Sequence, residues 1–81
     1  MLKIDKRKAR KLYNRGEDVY LLPCKVRPGG MWIEPFLINT RNSEGRNFES
    51  LVNEFEFYNC SSETGRSASF YMDMEERSAV C

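Results

Sequence analysis

Histidine is absent from all 81 residues, which removes the commonest general base and the commonest nitrogen ligand for a metal. A tetrahedral zinc site would then need three cysteines and a carboxylate, an unusual set. The three cysteines, Cys24, Cys60 and Cys81, are widely spaced and contain no C-x-x-C pair. An odd count with that spacing fits a reducing cytosol better than a secreted disulfide framework. Cys24 and Cys60 read as small buried hydrophobes and Cys81 as an exposed terminal residue. Long apolar runs are missing too: nothing approaches the roughly 20 residues that span a bilayer, and no apolar stretch of the kind found in a secretory leader follows the lysine-rich N-terminus. The expectation is a soluble, cytoplasmic protein without cofactor or metal.

Catalytic patterns are equally sparse. Without histidine, a serine or cysteine nucleophile needs another activator. The carboxylate pairs Glu54/Glu56 and Asp73/Glu75 are spaced i, i+2 in segments of surface character, which is ordinary charge decoration. A chain this short also has little room for a deep cleft. The expected class is not an enzyme.

What is present is enough to fold. Hydrophobic residues make up 41% of the chain and ten residues are aromatic, so there is apolar area to offset ordering entropy. The reading is one domain over residues 1–81, with 73–81 a charged, frayed tail. Its densest apolar stretch is Val19–Ile38, two β-rich runs around Pro28-Gly29-Gly30, which predicts a hairpin. Pro23 and Pro35 cannot donate to a sheet ladder and so mark an edge, a bulge or the end of pairing. Trp32 is read as core rather than as an exposed anchor, since a small fold can hardly leave so large an apolar area unused.

Before this stretch, residues 5–16 predict a short helix. Asp5 is its N-cap, Ala9, Leu12 and Tyr13 are its buried stripe, and Gly16 is the left-handed stop. After it, Asn39–Asn47 predicts a polar loop, the least ordered internal segment. Phe48, Leu51, Val52 and Phe55 recur at i, i+3, i+4 and i+7, a helix capped by Asn47. From Phe57 the pattern alternates again, predicting a second hairpin, 57–60 with 67–72, around Thr64-Gly65. The expected fold is therefore α+β in the order αββαββ, a four-stranded antiparallel sheet with helices on one face.

The formal net charge of +1 conceals an asymmetry. Residues 1–15 hold seven cations against Asp5 alone, a net +6, whereas residues 16–81 hold six cations against eleven carboxylates, a net −5. Two classes of binding surface follow. Glu49, Glu54 and Glu56 on the second helix form an acidic face for a protein partner. Alternatively, Lys6, Arg7, Lys8, Arg10 and Lys11 neutralise phosphates, with sheet aromatics stacking on bases. The two helices, one acidic and one basic, can also pair within the molecule. No RNP, KH or helix-turn-helix signature accompanies the basic segment. The protein-partner reading is preferred, because a protein surface can use both signs of charge and a polyanion only one.

Lys11-Leu12-Tyr13, Gly16, Val19–Lys25, Met31-Trp32-Ile33, Phe48–Cys60, Glu63–Arg66 and Ser69-Phe70-Tyr71, taken together, resemble small proteins carried by prophages and mobile elements of Gram-positive bacteria. The resemblance spans most of the chain and implies a genetic context rather than an activity. Small mobile-element proteins often disable host machinery by binding it, anti-CRISPR proteins among them. By that analogy the expected partner is a host protein or ribonucleoprotein complex, such as a CRISPR effector, in a bacterial cytoplasm.

Overall fold

In the computed structural model, which describes residues 1–27 and 34–73, the chain runs β1 (Leu2–Ile4), α1 (Lys6–Asn14), β2 (Val19–Pro23), β3 (Phe36–Ile38), α2 (Phe48–Asn59) and β4 (Ala68–Met72). The fold is α+β, with two helices and a four-stranded antiparallel sheet in the order β1-β4-β2-β3. The order along the chain is βαββαβ, a correction of the expected αββαββ. Leu2, Lys3 and Ile4 form an edge strand that was not anticipated, and Phe57–Asn59 belong to a helix rather than a strand. The Pro28-Gly29-Gly30 turn, Trp32 and the tail from Met74 lie outside the described residues.

The first helix follows its local code. The Asp5 carboxylate accepts from the Lys8 backbone N–H at 2.7 Å, satisfying one free donor of the first turn. At the other end, Gly16 sits at φ +85°, its N–H donates to the Tyr13 carbonyl and the Glu17 N–H reaches back to Leu12. That 6→1 and 5→2 pair is a Schellman stop, which a left-handed glycine makes inexpensive. Ala9, Leu12 and Tyr13 are buried, as their spacing predicts.

Both helices bury their stripes on one face of the sheet. Phe48, Leu51, Val52 and Phe55 of α2 meet Ala9, Leu12 and Tyr13 of α1 over Val19, Leu21, Phe70 and Met72. Leu22, Val26 and Tyr71 form a smaller cluster on the opposite face, with Tyr20 against it. The expected first hairpin appears as β2 paired with β3, Val19 opposite Ile38 and Leu21 opposite Phe36. Pro23 ends β2, an inner strand, and Pro35 directly precedes β3, the sheet edge. Both positions spare the ladder a missing donor.

The polar segment 39–47 differs from expectation, because two buried polar residues pin it. Asn39 and Ser43 are each only 5% exposed. The Asn39 side chain accepts from the N–H groups of Arg41 and Asn42 and donates to Asp18 at 2.8 Å, an Asx-type turn tied to the start of β2. Tyr13 hydrogen-bonds Ser43 and donates to the Arg46 carbonyl, so α1 holds the loop from inside. Tyr13→Phe should therefore cost about 1–3 kcal/mol, since it leaves the buried Ser43 hydroxyl and the Arg46 carbonyl without their partner while keeping the ring. Urea denaturation measures this, and a change below about 0.5 kcal/mol would show that the loop does not depend on the hydroxyl.

Candidate binding surfaces

The acidic face dissolves once its partners are traced. Glu49, in the first turn of α2, accepts from the Arg10 guanidinium at 2.8 and 3.2 Å and faces the Lys6 ammonium at 3.4 Å. The hydrogen bond from Arg10, helped by Lys6, holds the Glu49 carboxyl below the usual glutamate range. Glu54 pairs with Arg46. Glu56 accepts from the Ala68 N–H at 3.0 Å and so fastens the first residue of β4 to α2. All three carboxylates thus lie on α2 and all three are engaged within the chain. The pairing of a basic with an acidic helix, one of the alternatives in the charge pattern, is realised at Glu49.

The basic segment is divided by the same contacts. Lys6 and Arg10 lie on the side of α1 that meets α2. Arg7, Lys8 and Lys11 are exposed and have no carboxylate within 4 Å among the described residues. Exposed ion pairs of this kind contribute little to stability; their effect is to set which charges face outward.

The largest departure from the charge-based reading is the far end of α2. The helix runs past Phe55 to Asn59, whose side-chain amide donates to the Phe55 carbonyl at 3.2 Å, and the Cys60 N–H closes on Glu56. Phe57 lies off the buried stripe and is 78% exposed; Tyr58 is 74% exposed. Their rings meet edge to face, with centroids 4.9 Å apart. Beside them opens a groove of about 540 Å³ bounded by Phe36, Phe55, Tyr58, Glu44, Arg46 and Glu54. Phe36, at the edge strand, stacks on Phe55 at 5.7 Å and remains half exposed.

No family model, curated protein or solved structure matches the chain. The surfaces themselves therefore carry the functional argument. Among the described residues no group of three or more metal-ligating side chains comes together, and no helix is long and apolar enough to cross a membrane.

The cysteines need one correction. Cys24 is exposed rather than buried, because β2 ends at Pro23 and Cys24 begins the turn after it, its N–H bonded to Ser67. Cys60 is half-buried, and burial, with the fields of Glu56 and Cys24 adding to it, raises its thiol above the ordinary range. A raised thiol is a poor nucleophile at neutral pH. Cys81 lies outside the described residues.

The aromatic alternation places Phe57 and Tyr58 on a strand, among the sheet aromatics expected to stack on bases; the structure places them instead on the exposed end of α2. A helical period finds Phe57 alone: continuing Phe48/Leu51/Val52/Phe55 by three or four residues reaches 58 and 59 and leaves 57 outside, whereas Tyr58, on the continued stripe, is exposed at the rim of the groove.

Proposed function

We propose that this chain is a small non-enzymatic binding protein that docks stoichiometrically on a protein partner through the aromatic end of α2 and the groove beside it. The observation that carries this reading is the pair Phe57 and Tyr58, 78% and 74% exposed on consecutive residues, with Tyr58 lining the same groove as the half-exposed Phe36. Clustered exposed aromatics are the residues that dominate binding energy when a partner covers them. The chemistry of the rim favours a partner carrying lysine or arginine next to an apolar side chain. The last turn of α2 holds no basic residue to offset its partial negative end, and Glu44 borders the groove, where Glu54 is already paired with Arg46. A cation there can also sit over an aromatic face.

This moves the expected contact away from Glu49, Glu54 and Glu56, whose internal bonds a partner would have to displace. The resemblance to mobile-element proteins supports a host complex as the partner, a nucleic-acid-processing assembly such as a CRISPR effector, with the chain acting as its inhibitor.

The test is capture from a nuclease-treated Gram-positive lysate on immobilised protein, comparing the parent with Phe57→Ser/Tyr58→Ser and with Glu49→Gln. A discrete protein held by the parent and by Glu49→Gln should fall at least tenfold on the double variant, as loss of an aromatic hot spot implies. Both serines replace exposed side chains, so urea stability should move by less than about 1 kcal/mol. Equal capture by parent and double variant would remove the aromatic end as the contact.

A further inference from the structure

The face of the sheet that the helices leave uncovered carries a second, differently charged surface. Lys3 alternates with Ile4, which is buried under the helices, and stands opposite Tyr71 in the β1–β4 pairing, on the other side of the sheet. Lys25 and Arg27 follow the end of β2 and are exposed on the same side. Together these three cations border a groove of about 790 Å³ floored by Val26 and Tyr71.

Three observations define the charge of this groove, of which the absence, among the described residues, of a paired carboxylate is shared with Arg7, Lys8 and Lys11 on α1. None of its described lining residues is a carboxylate. Lys6, Arg10, Arg15, Arg41 and Arg46 all have a carboxylate within 4 Å, whereas Lys3, Lys25 and Arg27 have none among the described residues. Among the described residues the Lys25 ammonium has a single hydrogen bond, to the Ser62 carbonyl at 3.4 Å, which leaves donors to spare. The cations also stand on a fixed frame, since the Cys24 and Lys25 N–H groups are bonded to Ser67 and Thr64. Asp73, an acid near this face, is occupied by the Tyr20 hydroxyl at 3.2 Å and does not border the groove.

We infer that this groove binds the phosphodiester backbone of a single-stranded nucleic acid. Three cations around one open channel on a sheet match the track of one backbone, the arrangement by which single strands are held without sequence readout. A duplex asks instead for an element that enters a groove or spans two backbones. Arg7, Lys8 and Lys11 are excluded from the same contact, because they ride on α1, beyond the sheet.

The test is fluorescence anisotropy of a labelled oligothymidine of about 12 nucleotides against the full chain at several salt concentrations. Three proteins are compared: the parent, Lys3→Gln/Lys25→Gln/Arg27→Gln and Arg7→Gln/Lys8→Gln/Lys11→Gln. Three neutralised phosphates on a single strand predict a slope of log K against log salt of about −2 in the parent. That slope should collapse toward zero in the first triple variant and persist in the second, with both variants unfolding cooperatively on heating. The inference is overturned if the parent does not bind, if the α1 variant loses as much as the sheet-face variant, or if a duplex of the same length binds as tightly. A sheet-face variant that no longer unfolds cooperatively is replaced by Lys3→Gln/Arg27→Gln, which leaves the turn at Lys25 intact and should lose about two thirds of the slope; an unchanged slope there also overturns it. Capture of a protein partner through Phe57 and Tyr58 is read separately, after nuclease treatment, so either result can stand when the other falls.

Discussion

Phe48→Ala is expected to destabilise the fold by about 3–5 kcal/mol, the usual cost of removing a buried phenyl ring from a core that cannot fully collapse around the space. Phe48 opens α2 and is 3% exposed. Its ring centroid lies 5.8 Å from that of Tyr13 on α1 and 5.8 Å from that of Phe70 on β4. One side chain therefore joins both helices to the sheet. A domain this small is stable by only on the order of 5 kcal/mol, so the variant should be largely unfolded at 37 °C. Urea denaturation followed by far-ultraviolet circular dichroism measures it. Phe48→Leu, which restores most of the volume, should recover more than half of the loss. A loss below about 1 kcal/mol for Phe48→Ala would mean that the layers are held elsewhere.

Much of this core was readable because its signals are local. Asp5, the stripe Ala9/Leu12/Tyr13 and Gly16 each act within a few residues, and all occupy the positions their chemistry implies. The pairing of β2 with β3 was readable too, from two β-rich runs close in sequence. β1 escaped because three residues carry too little alternation to stand out; what makes Leu2–Ile4 a strand is β4, nearly seventy residues away, offering an edge. Phe57–Asn59 escaped for a different reason. Aromatic residues favour strands on average, but Glu56 bonds Ala68 and Asn59 bonds Phe55, and these contacts hold the helix for another turn.

The surfaces were less legible than the core, since net charge in a segment says nothing about where each charge finds its partner. Composition presents residues 1–15 as one basic arm, yet Lys6 and Arg10 are used against Glu49 while Arg7, Lys8 and Lys11 face outward. Lys3, Lys25 and Arg27 never form a run in the sequence. Strand pairing and the turn after β2 bring them to one groove.

Gly65→Ala is expected to cost about 3 kcal/mol, nearly as much as the phenyl ring, although it adds a single methyl group. Gly65 is buried at φ +103°, a conformation that costs an L side chain roughly 1–3 kcal/mol by itself. A Cβ there would also lie 2.3 Å from the Cys24 Sγ and 3.0 Å from the backbone nitrogens of both Cys24 and Lys25. The Sγ can rotate away, but the backbone atoms cannot move without loosening Lys25 N–H to the Thr64 carbonyl at 2.9 Å and Cys24 N–H to the Ser67 carbonyl at 2.8 Å. Those two bonds tie the end of β2 to the segment leading into β4. Cys24→Ala alone should be nearly neutral, as Cys24 is exposed. Combined with Gly65→Ala it should recover only the part of the loss that belongs to the sulfur. Full recovery in the double variant would assign the whole cost to the side chain and none to the backbone approach. No recovery would place it entirely in the glycine conformation and the packing of the two main chains.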